Sequence, residues 1–167
     1  MTIYGRTVGK FCKFQISDSS TTLRDIPVSS FGSVGLTYAE QDVTALQDAI
    51  SSVLNGQGSF STTITGPFDN STDVAASTTT QRPALSGSHD CLNGLNGGQV
   101  AKTFGIYLGI RADWAAGDPV FGAAKSCLIS GYTVDPGAGT YSAKLVIAGN
   151  RSGDPSWGVA QLAAATT

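Results

Sequence analysis

Thr103-Phe104-Gly105-Ile106-Tyr107-Leu108-Gly109-Ile110-Arg111 decides the fold. Phe104, Ile106, Leu108 and Ile110 alternate with Thr103, Gly105, Tyr107, Gly109 and Arg111, a period of two that an extended strand turns into one apolar and one polar face. The same rule recurs outward from this stretch. Cys12, Phe14 and Ile16 alternate with Lys13, Gln15 and Ser17; Phe60, Thr62 and Ile64 with Ser61, Thr63 and Thr65; Tyr141, Ala143, Leu145 and Ile147 with Ser142, Lys144, Val146 and Ala148. Such alternation belongs to antiparallel sheets with one packed face. Asp135-Pro136-Gly137-Ala138-Gly139 separates strand-like runs near Val120–Val134 and Thr140–Ala148 and reads as a hairpin loop. Asn55-Gly56-Gln57-Gly58 reads as a turn leading into a Ser59–Thr65 strand.

Residues 87–96 depart from this period. Cys91, Leu92 and Leu95 share a helical face, a serine precedes them as a candidate cap, and Gly97-Gly98 is a natural stop, which predicts one short helix. Tyr38–Leu54 reads as a long loop with a helical turn, because Leu46, Ala49, Ile50 and Val53 fall on one face. Ser71–Leu85, nearly all Thr, Ser and Ala, reads as a second long loop. No repeat and no linker divides the chain, so residues 1–167 are expected to form one domain. The fold class expected is mainly β: an antiparallel β-sandwich or half-barrel with one short flanking α-helix.

Composition narrows the function. The 167 residues include 21 glycines, 19 serines and 18 threonines, only 13% are charged, and the formal net charge is −2. A chain without basic excess lacks the means to hold nucleic acid through its phosphates. No run approaches the ~20 apolar residues of a membrane helix, and Met1-Thr2-Ile3-Tyr4-Gly5-Arg6 is not a signal peptide core. Hydrophobic residues at 41%, with 7 Phe, 5 Tyr and 2 Trp, suffice for one core. Cys12, Cys91 and Cys127 are widely spaced with no CxxC pair, as expected of reduced, packed thiols.

Candidate chemistry is sparse. His89 is the one histidine, its neighbour Asp90 does not share its helix face, and no GxSxG elbow occurs. His89 with Cys91 lacks two further metal ligands at a recognisable spacing. Asp118-Pro119, Asp135-Pro136 and Asp154-Pro155 are turn chemistry. Trp114 and Trp157 lie far apart and each borders a turn, which gives little support to a carbohydrate-binding sandwich. The expectation is a non-enzymatic protein with no cofactor and no metal.

The order of motifs goes further. Leu23-Arg24-Asp25-Ile26-Pro27-Val28, Glu40-Gln41-Asp42-Val43-Thr44-Ala45, Asn55 through Asp69, Lys102-Thr103-Phe104-Gly105-Ile106-Tyr107, Gly117-Asp118-Pro119-Val120-Phe121-Gly122, Leu128 through Val134 and Tyr141 through Gly149 follow one another over Tyr4 to Trp157. This succession resembles the tail tube proteins, or major tail proteins, of long-tailed bacteriophages. The resemblance implies stacked hexameric rings forming the tail tube of the virion, assembled in the host cytoplasm, and a conduit through which DNA leaves without sequence-specific binding. It also implies contacts with other tail proteins: tape measure, tail terminator, and baseplate or tip. The alternative is a capsid decoration or other virion-surface β-sandwich protein. The loop between successive rings would be Tyr38–Leu54, with Tyr38, Glu40, Asp42, Leu46, Asp48, Ile50 and Val53. The channel lining would come from Ser59, Ser61, Thr63 and Thr65, whose alternation places them opposite Phe60 and Ile64, joined by Ser126, Ser130, Ser142 and Lys144 of the later hairpin.

Overall fold

The computed structural model describes residues 12–45, 50–75, 84–108 and 119–159. The strands are β1 (Cys12–Ser17), β2 (Leu23–Ile26), β3 (Ser30–Phe31), β4 (Thr37–Asp42), β5 (Val53–Ser59) and β6 (Ser61–Pro67). After helix α1 (Ser88–Leu95) come β7 (Lys102–Leu108), β8 (Pro119–Asp135), β9 (Thr140–Ile147) and β10 (Ser156–Val159). The main sheet runs β2-β1-β7-β8-β9-β6-β3, with β10 added beside β8, and every named strand pair is antiparallel; β4 and β5 form a separate two-stranded sheet. The expected fold class, mainly antiparallel β with one short helix, is what the chain adopts.

Connectivity forces the sheet to curl. β2 ends at Ile26 and β3 begins at Ser30, yet they occupy opposite ends of the strand order. Four Cα steps reach at most about 14 Å, whereas seven flat strands spread over about 29 Å. The two edges therefore come together around Pro27-Val28-Ser29. Ser29 N donates to Thr65 O at 2.8 Å, and the Tyr141 hydroxyl donates to Pro27 O at 2.8 Å. Phe31 of β3 meets Phe14 of β1 edge-on at 6.5 Å.

One strand serves both walls of this half-barrel. The first part of β8 pairs with β7 (Tyr107 opposite Val120) and β10; the second pairs with β9 (Cys127 opposite Ile147 through Asp135 opposite Thr140). Between them the register slips against Lys102 and Phe104, and Lys125 takes a positive φ of 44°, a bulge that bends the strand. The core lies inside the curl. Phe14, Ile16 and Ile106 come from one wall and Ile64, Tyr141 and Leu145 from the other, all essentially inaccessible. Phe60 stacks on Phe104 at 5.6 Å and meets Phe121 at 5.0 Å. Helix α1 adds Cys91, Leu92 and Leu95 to the same core.

The helix starts differently from the sequence expectation. Its N-cap is Gly87, and no side chain caps it. A Cβ there would lie 2.6 Å from Ser71 O, so the close approach selects glycine. Ser88 instead uses its hydroxyl to tie the helix to the end of β6: Oγ donates to Pro67 O and accepts from Asp69 N, both at 3.0 Å. Cys91 and Cys127 are free and buried, and burial pushes both thiols up to about 12.

The closure can be tested at its narrowest point. Gly66 faces Pro27 O and the Tyr141 ring so closely that an added Cβ would overlap the carbonyl. Tyr141→Phe, which removes one hydrogen bond, should cost about 1–2 kcal/mol in urea unfolding. Gly66→Ala, which must separate the two edges, should cost more than Tyr141→Phe or leave the chain insoluble.

Candidate assembly surfaces

Three surfaces stand out, and the first is the outer face of β6, β9 and β8. Register aligns Ser61 with Val146 and Leu128, Thr63 with Lys144 and Gly131, and Thr65 with Ser142 and Thr133. These rows point away from the core because Thr62, Ile64, Gly66, Tyr141, Ala143 and Leu145 point into it. The face thus holds a single charge, Lys144, among hydroxyls and small apolar groups. Ser61, Thr63, Ser130 and Lys144 are exposed, while Thr65 and Ser142 are half-buried. Thr65 Oγ1 shares a hydrogen bond with Ser30 Oγ.

Two of the expected lining residues lie elsewhere. Ser126 is fully buried, with Oγ donating to Ala123 O at 3.2 Å. The bulge at Lys125 breaks the alternation, so counting by two from Ser130 puts Ser126 on the wrong side. Ser59 is exposed but belongs to β5, where its hydroxyl meets Thr37 Oγ1 at 3.0 Å. A second irregularity, between Ile129 and Gly131, leaves Ser130 without a partner residue in the β8–β9 register.

The second surface is a correction. The stretch expected as the Tyr38–Leu54 loop is strand at both ends: Thr37–Asp42 and Val53–Ser59 pair as a β-ribbon, the β4–β5 arm, with Asn55-Gly56-Gln57-Gly58 inside β5 rather than in a turn. Every residue of these two strands is exposed except half-buried Gly56. Tyr38, Val53 and Leu54 are each more than half exposed, and Ile50 beyond the arm is 80% exposed. Glu40 pairs in register with Asn55. Asp42 lies near the end of the arm, where hydrogen bonds from Thr44 hold its carboxyl below the usual range. Leu46 and Asp48 lie outside the described residues. The sheet face of Tyr38 covers Gly58, whose Cβ would lie 2.9 Å from the ring. A lone two-stranded ribbon is marginal in water, so this arm lacks the burial that normally holds strands in place.

The third surface lies over β2 and β1. The turn after β1 is tied by Asp18, which accepts from Ser20 Oγ, Thr22 N and Arg24 Nε; burial opposes ionisation there, yet these bonds and the Arg24 charge hold the carboxyl low. Arg24 also reaches Asp73 at 3.0 Å. Next to it Asp25 faces a cavity of about 420 Å³, and burial raises its carboxyl to about 6 against a smaller opposing pull from Lys13. Sequence reading gave Asp25 no role, since nothing in its neighbours signals burial.

Among the described residues, the groups around His89 are aromatic. Its Nδ1 lies 3.2 Å from the Tyr132 hydroxyl, and its ring sits between Phe68 and Tyr132. Among the described residues, no group of three or more His, Cys, Asp or Glu is placed to hold a metal ion, and no helix is long and apolar enough to cross a membrane.

No protein-family model matches the sequence, and no curated protein matches it. Solved structures do. The chain is similar to one in the cryo-EM structure of the PVC sheath/tube terminator, an extracellular contractile injection system in its extended state, at TM-score 0.56 and 14% identity over 95% of this chain and 99% of that one. It is similar to a chain of the anti-feeding prophage baseplate at TM-score 0.57 and 11% identity, over 93% and 97% of the two chains. A chain of the anti-feeding prophage tube-terminating cap matches at TM-score 0.56 and 11% identity, over 96% and 95%. The fold is therefore tail-tube-like.

The half-buried Asp25 carboxylate carries a pH dependence with a definite sign. Because the folded state holds the Asp25 proton up to about pH 6 and the unfolded chain releases it near the ordinary 3.8, the folded state binds more protons between those values. Stability should then fall by about 1–3 kcal/mol as pH rises from about 4 to 6. Asp25→Asn should flatten that part of the profile in urea unfolding at stepped pH.

Proposed function

We propose that this chain is a non-enzymatic structural subunit of a phage-like tail, closing into six-membered rings that stack into a hollow tube for DNA. The observation that carries the reading is the β4–β5 arm: a ribbon with Tyr38, Val53 and Leu54 exposed and almost no burial of its own. Apolar groups presented this way become ordered on a partner. Similarity in fold to chains of sheath/tube terminator, baseplate and cap structures supports a tubular particle as the setting. On this reading the arm, with the segment after it, contacts the adjoining ring, and tail terminator, tape measure and baseplate proteins are further partners.

The outer face of β6, β9 and β8 fits the channel wall. Solvated faces of monomers usually carry Lys and Glu, but here Ser61, Thr63, Thr65, Thr133 and Ser142 surround Lys144 alone. Short neutral hydroxyls remain hydrated and give phosphates no strong anchor, whereas a cationic wall would bind them by counterion release.

Negative-stain images of the purified chain at high concentration should show rings or tubes of uniform bore. Deleting Thr44–Ser52 should leave a folded chain that no longer forms long tubes; a wild-type chain monomeric at every concentration tested overturns the reading. Lysines placed together at Ser61 and Thr63 should leave tubes intact yet slow genome release at least tenfold, and unchanged release would remove this face from the channel.

A further inference from the structure

The β4–β5 arm needs something to set its direction. Its two strands pair with each other and with no strand of the main sheet. Its base is closed where Thr37 and Ser59 meet through their hydroxyls at 3.0 Å, each hydroxyl also within reach of the other's carbonyl. The ribbon therefore joins the half-barrel at two neighbouring roots, Leu36 on the way out and Phe60 on the way back. A body attached at two adjacent points turns about the line through them unless a third contact braces it.

That third contact is aromatic. Phe60, 4% exposed, holds the returning root against Phe121 at 5.0 Å and Phe104 at 5.6 Å. Phe121 meets Trp157 on its other neighbour, β10, at 5.1 Å, and the two residues are partners in the β10–β8 register. The indole reaches the outgoing root: a Cβ on Gly35 would lie 3.6 Å from Trp157 Nε1 and 3.9 Å from Cζ2. Gly35 takes a φ of 134°, which side-chain-bearing residues rarely adopt, between Val34 and Leu36, both packed against the core. One run of rings, Trp157–Phe121–Phe60, thus spans both roots of the arm. β10 is itself fixed by its ladder to β8 and by Pro155, which is fully buried just before it.

We propose that Trp157 is the brace that sets the angle at which the arm leaves the half-barrel, which makes β10 a positioning strand for whatever the arm contacts. The gain is preorganisation: an arm already aimed docks without the ordering cost that a swinging one meets. The brace belongs to the single chain, whereas its effect on association rests on the arm-contact reading above.

The test measures direction and association separately, on the full chain. With Cys12→Ser as background, spin labels are placed at two exposed positions, Gln41→Cys on the arm and Asn93→Cys on α1, and their separation is measured by pulsed electron resonance on unassembled protein. The chain with Trp157 intact should give one narrow distance distribution. Trp157→Ala should broaden it at least twofold, and Trp157→Phe, which keeps a ring beside Phe121, should stay narrow. Tyr141→Phe, a loss of stability at the Pro27 closure, should also stay narrow, so broadening cannot be put down to a weaker fold. If Trp157→Ala does not fold, Trp157→Thr, a strand former without a ring, takes its place with the same expectations. In unlabelled protein, Trp157→Ala should raise the concentration needed for assembly at least tenfold although the arm sequence is untouched. A Trp157→Ala distribution as narrow as that of the parent, or a parent already broad, overturns the brace. A broadened arm with unchanged assembly leaves the brace standing and overturns the arm-contact reading instead.

Discussion

The three residues Pro27-Val28-Ser29 constrain everything else. By joining opposite ends of a seven-strand order, they leave the sheet no flat solution, and the core is simply the space enclosed when it curls. Proline suits this crossing, since it has no N–H to satisfy and its carbonyl is taken by the Tyr141 hydroxyl. Gly66 lets the edges meet at backbone distance. Closure also gives the molecule two unlike exteriors. The wall of β2, β1 and β7 carries Asp25, Lys13 and a cavity; the wall of β9, β6 and β3 carries hydroxyls. Unlike faces are what head-to-tail contacts between copies would require, and such contacts either close as rings or continue as filaments.

What was legible in the sequence was what the core enforces. Phe104 and Ile106, Phe60 and Ile64, and Tyr141, Ala143 and Leu145 are all buried as their alternation requires, because a one-residue slip would turn each set outward. The hairpin at Asp135–Gly139 was equally plain, with Gly139 at φ 65° and Asp135 Oδ1 accepting from Gly137 N and Ala138 N. The β4–β5 arm was not legible, for the same physical reason reversed. Its strands bury nothing, so no period marks them, and two glycines in β5 imitate a turn. Of the candidate site, Ser61, Thr63 and Lys144 followed from alternation, whereas Ser126 did not. The bulge at Lys125 is set by hydrogen bonds from Ser152 and to Thr103, distant residues that no local pattern reveals.

Small β proteins with open edges risk pairing indiscriminately. Here the main sheet limits that hazard: β3 has two residues, β10 has four, and the outer edge of β2 is partly occupied by Ala84–Ser86. Longer free edges among the described residues belong to the arm and to β8 beyond Ile129. Low charge leaves little general repulsion between copies, so under the proposed self-assembly the choice of contact would fall largely to this distribution of edges. With a net charge of only −2, the chain has few electrostatic means of selecting how a second copy would dock against it.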